Sequence, residues 1–229
     1  MRIIRLSQSK DREAWLDFRR GRISGTKVKI VKPLARGKDR TPMGFWQLLA
    51  EKIAIASDGE PDMDRGHRLE DEALTKTAEK YGLDMDLDPG VWVSDENEDI
   101  IFSPDGCEKS DRPTWVAEAK CLSSANHLKY VIKDMRARKQ DDYNPIDSVP
   151  NDAKSSYREQ AIDGFVVNEN LETLYFTLYD DRIALDKYMH HVIVIKRSDI
   201  LEEIEAQRQM QVETLIEVNK LIAELTEES

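Results

Sequence analysis

A mixed α/β domain, with a central sheet covered by helices, is the fold class this sequence predicts. Three observations carry that expectation. Apolar stretches at helical spacing occupy 65–81 and the last 30 residues. Between them, short runs rich in β-branched and aromatic residues recur at 91–94, 99–103, 114–120, 173–179 and 191–196. Helix-patterned segments separate the third run from the fourth, so the chain reads as helices, three strands, helices, two strands and a helix.

In order, residues 11–22 (DREAWLDFRRGR) form an amphipathic helix with Trp15, Leu16 and Phe18 inward. ISGTKV follows as a turn, and 32–42 (KPLARGKDRTP) is a basic Pro/Gly loop. Residues 43–56 have helical apolar periodicity, EPDMD breaks it, and RGHRLEDEALTKTAEKY (65–81) is a second helix. After the first three strands come a helix near 124–136, the polar loop RKQDDYNPIDSVP and a helix near 152–167. A long C-terminal helix, about 198–226, carries Ile200, Ile204, Val212, Leu215, Ile216, Leu221 and Leu225 at helical spacings. Met135, Met189 and Met210 read as packing residues. His190 and His191 are adjacent in a strand and point to opposite faces, so they cannot share one metal ion. No internal repeat is present, and the whole of 1–229 reads as one domain.

Composition narrows the class. The chain has 229 residues, 40% hydrophobic and 34% charged, which is ordinary for a globular protein with a charged surface. No apolar run approaches the ~20 residues that span a bilayer, so no membrane association is expected. The start, MRIIRLSQSK, has no apolar core of a signal peptide. Cys107 and Cys121 form no CxxC pattern, which fits a reducing cytoplasm, and Cys121 reads as a small core residue. The net charge of −11 argues at first against nucleic acid. Its distribution does not: the first 40 residues hold 13 Lys/Arg against 4 Asp/Glu, which leaves about −20 to the rest. A basic segment on an acidic body is either a footprint for phosphate or a solvated helix face.

The stretch SPDGCEKSDRPTWVAEAKC, residues 103–121, is the candidate centre. Glu118 and Lys120 lie in a strand whose other residues, Trp115, Val116, Ala117 and Ala119, read as buried. A buried carboxylate and a buried ammonium are each costly unless they are paired or hold an ion. Side chains alternate along a strand, so Glu118 and Lys120 share one face, and the two alanines leave room for a helix close behind the other. Asp105, at the end of the preceding strand, would stand beside Glu118 in an antiparallel pair. Two carboxylates suit a hard divalent ion such as Mg²⁺, which binds one or two of them together with water and substrate phosphate. Lys120, flanked by anions, would stay protonated and orient the attacking water. An exposed cross-strand salt bridge is the bland alternative.

Four motifs in order resemble the lambda-type phage exonucleases, a YqaJ-like viral recombinase family within the PD-(D/E)xK nuclease superfamily. SPDG at 103–106 followed by EAK at 118–120 is similar to the superfamily signature, with a D-to-E gap of 12 residues, a few longer than in the lambda enzyme. RGHRLE at 65–70 resembles the family's helix ending in a metal-site glutamate, and YREQ at 157–160 its Tyr-x-x-Gln helix. WLDFRRGRISGT at 15–26 resembles its Trp-x-x-x-Arg…Gly-x-Ile segment. The resemblance implies a restriction-endonuclease-like core with a central mixed β-sheet flanked by helices. It implies Asp105, Glu118 and the carbonyl of Ala119 as metal ligands, Glu70 completing the site for a second metal or through water, and Gln160 positioning the nucleophile. Arg19, Ser24, Thr26 and Ser103 would hold a 5′ phosphate. Met63 would stand where the family splays the duplex end. Asn126 replaces a family arginine, for which Lys129 or His127 could substitute.

The activity implied is a Mg²⁺-dependent 5′-to-3′ exonuclease on double-stranded DNA ends, with Mn²⁺ able to replace Mg²⁺. It would act as a homotrimeric toroid with a single-strand annealing protein, in a bacterial cytoplasm and of phage or prophage origin. A site-specific or structure-specific endonuclease on the same core, and a DNA-end-binding module with a vestigial nuclease motif, are the alternatives.

Overall fold

The computed structural model describes residues 13–14, 50, 62–152 and 155–227. Helix α1, Asp62–Tyr81, places Leu69, Ala73, Leu74 and Thr77 on one buried stripe. It stops at Gly82, whose φ of 66° is a left-handed conformation that lets the Leu83 N–H reach back to the Ala78 carbonyl at 2.9 Å.

Five strands form the central sheet: β1 (Met85–Asp86), β4 (Gly106–Glu108), β5 (Trp115–Lys120), β8 (Thr173–Tyr179) and β9 (His190–Lys196), side by side in that order. The β5–β8 pair is parallel and the other neighbours are antiparallel, so the sheet is mixed. Parallel pairing requires a long crossover. Here it contains α2 (Ser124–Ala137), a 3₁₀ turn at Pro145–Ser148, the short hairpin β6–β7 (Asn151–Asp152, Ser155–Ser156) and α3 (Tyr157–Val167). A short helix α4 (Asp186–Met189) joins β8 to β9, and α5 (Leu201–Glu227) closes the chain.

The two faces of the sheet bury different things. Ala117, Ala119, Cys121 and Tyr179 pack with Leu69, Ala73 and Leu74 of α1, so two alanines do admit a close helix. The other face holds the larger core: Val116, Leu174, Phe176, Leu178, Ile193 and Ile195 against Tyr130 and Val131 of α2, Ala161, Ile162 and Phe165 of α3 and Ile204 of α5. Arg197, in a 3₁₀ turn before α5, donates to the carbonyls of Phe165, Asn168 and Leu171 at 2.7–2.8 Å and fastens α3 to that turn.

Several boundaries differ from the sequence expectation. The run 99–103 does not lie beside 114–120: only Ile101–Phe102 is strand (β3), and it pairs with Trp92–Val93 (β2) in a separate hairpin. The antiparallel neighbour of β5 is instead β4, whose three residues carry no readable period. The helix expected near 152–167 starts at Tyr157. Of the helices expected at 11–22 and 43–56, only Glu13–Ala14 and Ala50 are described, all three helical. Met189 packs against the core, but Met135 and Met210 are exposed. His190 and His191 do point apart, His190 to Thr77 on α1 at 2.9 Å and His191 to Asp134 on α2 at 2.7 Å.

Candidate active site

Asp105 is the residue before β4, not the end of the previous strand. The register Gly106↔Ala117 brings it alongside the far half of β5. A Cβ at Gly106 would stand 2.7 Å from Met85 Sδ, so a close approach of β1, rather than an unusual φ, accounts for this glycine. The longer D-to-E segment is a hairpin whose loop is closed by Glu108, which accepts from the backbone N–H and the hydroxyl of Thr114 at 2.7 and 2.9 Å.

Three charged side chains converge at the end of β5. Asp105 Oδ2 accepts from the Ala119 N–H at 2.9 Å and from Lys120 Nζ at 3.1 Å. Lys120 Nζ also donates to Glu118 Oε2 at 3.2 Å. Glu118 is fully buried, and its second oxygen, Oε1, has no hydrogen-bond partner. A buried lone carboxylate oxygen is costly unless a cation or donor meets it. Burial pushes the Glu118 pKa up to about 8; Lys120 opposes that rise and Asp105 adds to it. Burial pulls the Lys120 pKa down, but Glu118 and Asp105 outweigh it and raise the value overall, so the ammonium keeps its proton. Oxygen ligands with one orphaned atom fit a hard divalent ion.

Glu70 lies half-buried on α1, which covers the opposite face of the sheet from Glu118. Among the described residues no three His, Cys, Asp or Glu side chains group closely enough to hold a metal ion by themselves. Gln160 is half-buried on the first turn of α3, three residues after Tyr157 and so on the same side of the helix. Ser103 is exposed just after β3. Asn126 donates to Ser123 Oγ at 3.1 Å. His127 cannot replace the missing arginine: it is buried, with its ring on the Tyr188 carbonyl at 2.6 Å. Lys129 lies over the Tyr130 ring, 5.0 Å from its centroid. Arg19, Ser24 and Thr26 lie outside the described residues, as does the Met63 side chain, although its backbone belongs to α1.

Tyr157, in the YREQ motif, has no role that the sequence assigns. Its ring stands 5.6 Å from Lys120 Nζ, and the signal that could have found it is a lone aromatic at the polar start of a helix, in SSYREQ.

Residues 14–162 match the family model of the YqaJ-like viral recombinase domain. No curated protein sequence matches the chain. The structure is similar to the crystal structure of an alkaline exonuclease (LHK-Exo) from Laribacter hongkongensis, with a TM-score of 0.51 at 20% identity, covering 95% of this chain and 100% of that one. LHK-Exo in complex with dAMP matches equally, with the same TM-score, identity and coverage. The mixed sheet flanked by helices is thus the PD-(D/E)xK fold, and the chain belongs to the YqaJ-like viral recombinase family.

Proposed function

We propose that the chain is a Mg²⁺-dependent 5′-to-3′ exonuclease that degrades one strand from linear double-stranded DNA ends and leaves 3′ overhangs for a single-strand annealing protein. The observation that carries this reading is the Asp105–Lys120–Glu118 group, with Glu118 fully buried and its Oε1 left over. Membership of a recombinase family and the fold of an alkaline exonuclease support a nuclease. The dAMP bound by LHK-Exo supports a nucleotide product.

Asp105, Glu118 and the Ala119 carbonyl would hold the divalent ion, which supplies Lewis acidity at the scissile phosphoryl oxygen. Lys120 keeps a positive charge beside the phosphate as it gains negative charge, and its remaining N–H orients the attacking water. Gln160 positions that water from α3. Glu70 acts through water. Arg19, Ser24, Thr26 and Ser103 hold the 5′ phosphate, and Met63 separates the strands at the duplex end.

Linear and covalently closed circular duplexes incubated with Mg²⁺, and again with EDTA, test the reading. Only the linear DNA with Mg²⁺ should disappear. Lys120→Ala should lower the rate by roughly a hundredfold or more, as loss of a transition-state charge does, while DNA binding persists. Cutting of closed circles would identify an endonuclease instead. End binding without cleavage by the unmodified protein would identify a vestigial binding module.

A further inference from the structure

We propose that Tyr157 is the positioning residue for Lys120 and that it acts through the face of its ring. The proposal rests on the nuclease reading of the Asp105–Lys120–Glu118 group. Tyr157 opens α3 with its ring half-buried against the large core. The ring is tilted 45° to Phe176, with centroids 6.4 Å apart. Phe176 is the register neighbour of Glu118 on β8, so the ring is seated over the same sheet face that carries Glu118 and Lys120. Lys120 Nζ stands 5.6 Å from the ring centroid, within the range of a cation–π contact.

Three neighbours therefore fix the ammonium: Asp105 Oδ2, Glu118 Oε2 and the tyrosine ring. They are not equivalent. The carboxylates are also the groups that suit a divalent ion, and any charge they share with one weakens their hold on Nζ. The attraction of the ring depends on its quadrupole, which a hard cation held by oxygen does not consume. A long, flexible lysine stem needs one constraint that survives this change of electrostatics. The ring supplies it, and Phe176 behind keeps the ring from turning away.

Aromatic replacements at position 157 test this. Tyr157→Phe keeps the π face and should retain kcat within about twofold. Tyr157→Leu should lower kcat about tenfold, the order expected for a partly desolvated cation–π contact, with KM for linear duplex DNA unchanged. Phenylalanines with increasing fluorine at this position keep ring shape while weakening the quadrupole, so kcat should fall with each step. This series decides the matter if the leucine variant does not fold. Independently of cleavage, the Lys120 side-chain methylene next to Nζ should show an upfield ring-current shift in ¹³C-lysine-labelled protein, assigned by its absence in Lys120→Met. The shift should persist in Tyr157→Phe and vanish in Tyr157→Leu.

Equal loss in the phenylalanine and leucine variants, a flat fluorination series, or no ring-current shift in the unmodified protein would overturn the proposal. If the unmodified protein cuts no DNA but the shift is present and leucine-sensitive, the nuclease reading falls while the placement of Lys120 by the ring stands.

Discussion

At Glu118 the chemistry of one residue sets a dependence on both pH and metal. In water its carboxyl would ionise near 4.5; burial moves that to about 8. A folded pKa above the unfolded one means that the neutral form favours folding. That contribution is full below about 4.5 and is lost as pH rises through 8. The metal-free protein should therefore lose stability across that window. Mg²⁺ held there as proposed would compensate the ionised form, so the rise in Tm caused by Mg²⁺ should be larger at pH 8.5 than at pH 6. Glu118→Gln keeps the shape without the charge: it should flatten the pH dependence, abolish the Mg²⁺-induced rise and eliminate cleavage. Scanning calorimetry at the two pH values checks this, and an equal Mg²⁺ effect in both proteins would show that the ion binds elsewhere. The pairing of Glu118 with Lys120 was legible because strand alternation follows from sequence alone. The orphaned Oε1 was not, because it depends on what β8 and α3 place around that atom.

Helix α2 shows how an element is held to an edge. β9 ends the sheet, and an uncovered edge strand invites pairing with other chains. Asp134, buried on α2, accepts from Arg138 Nε at 2.6 Å, Tyr143 OH at 2.7 Å and His191 Nε2 at 2.7 Å, and Arg138 Nη2 covers the Val192 carbonyl of β9 at 2.8 Å. Burial alone would raise the Asp134 pKa, but the bonds from His191 and Tyr143 prevail and hold it at about 2. A depressed carboxyl contributes stability that is present above its ordinary value of 3.8 and is lost as pH falls through 2. Asp134→Ala strands three donors and should cost about 3–5 kcal/mol, as breaking a buried pair does. Urea unfolding at pH 7 measures that loss, and a cost under about 1 kcal/mol would reduce the network to an exposed-type ion pair. Elements differ in how well the sequence announces them. β8 and β9, seven residues each, fall within a residue of expectation, whereas β1 and β4 escaped because two or three residues show no period. The Asp134–His191 bond joins positions 57 apart, a distance no local pattern reveals.

For the molecule as a whole, charge would decide how the proposed DNA substrate is held. With 45 acidic and 34 basic side chains, one subunit offers few phosphate contacts outside its first 40 residues. A ring would keep the duplex in place despite weak single contacts, and the expected homotrimer should scatter light as three times the 26.4 kDa chain. A monomer at working concentration would reject it. Direction of digestion belongs to the same scale. A 5′ phosphate gripped by the guanidinium fork of Arg19 should make phosphorylated ends better substrates than 5′-hydroxyl ends. Arg19→Ala should remove about tenfold or more of that preference, the worth of one charged hydrogen bond. Equal initial rates on both ends with the unmodified protein would place Arg19 among the surface charges.

The parallel pairing of β5 with β8 bears on how the protein is born. Asp105, Glu118 and Lys120 all leave the ribosome before any residue of β8, since the crossover spans 121–172. Until Phe176 and α3 arrive, a nascent chain has the acids and the lysine but no dry wall to hold them. If these charges cut DNA as proposed, the group is written early in translation and armed late, so truncated products from an interrupted message should be harmless to the DNA around them.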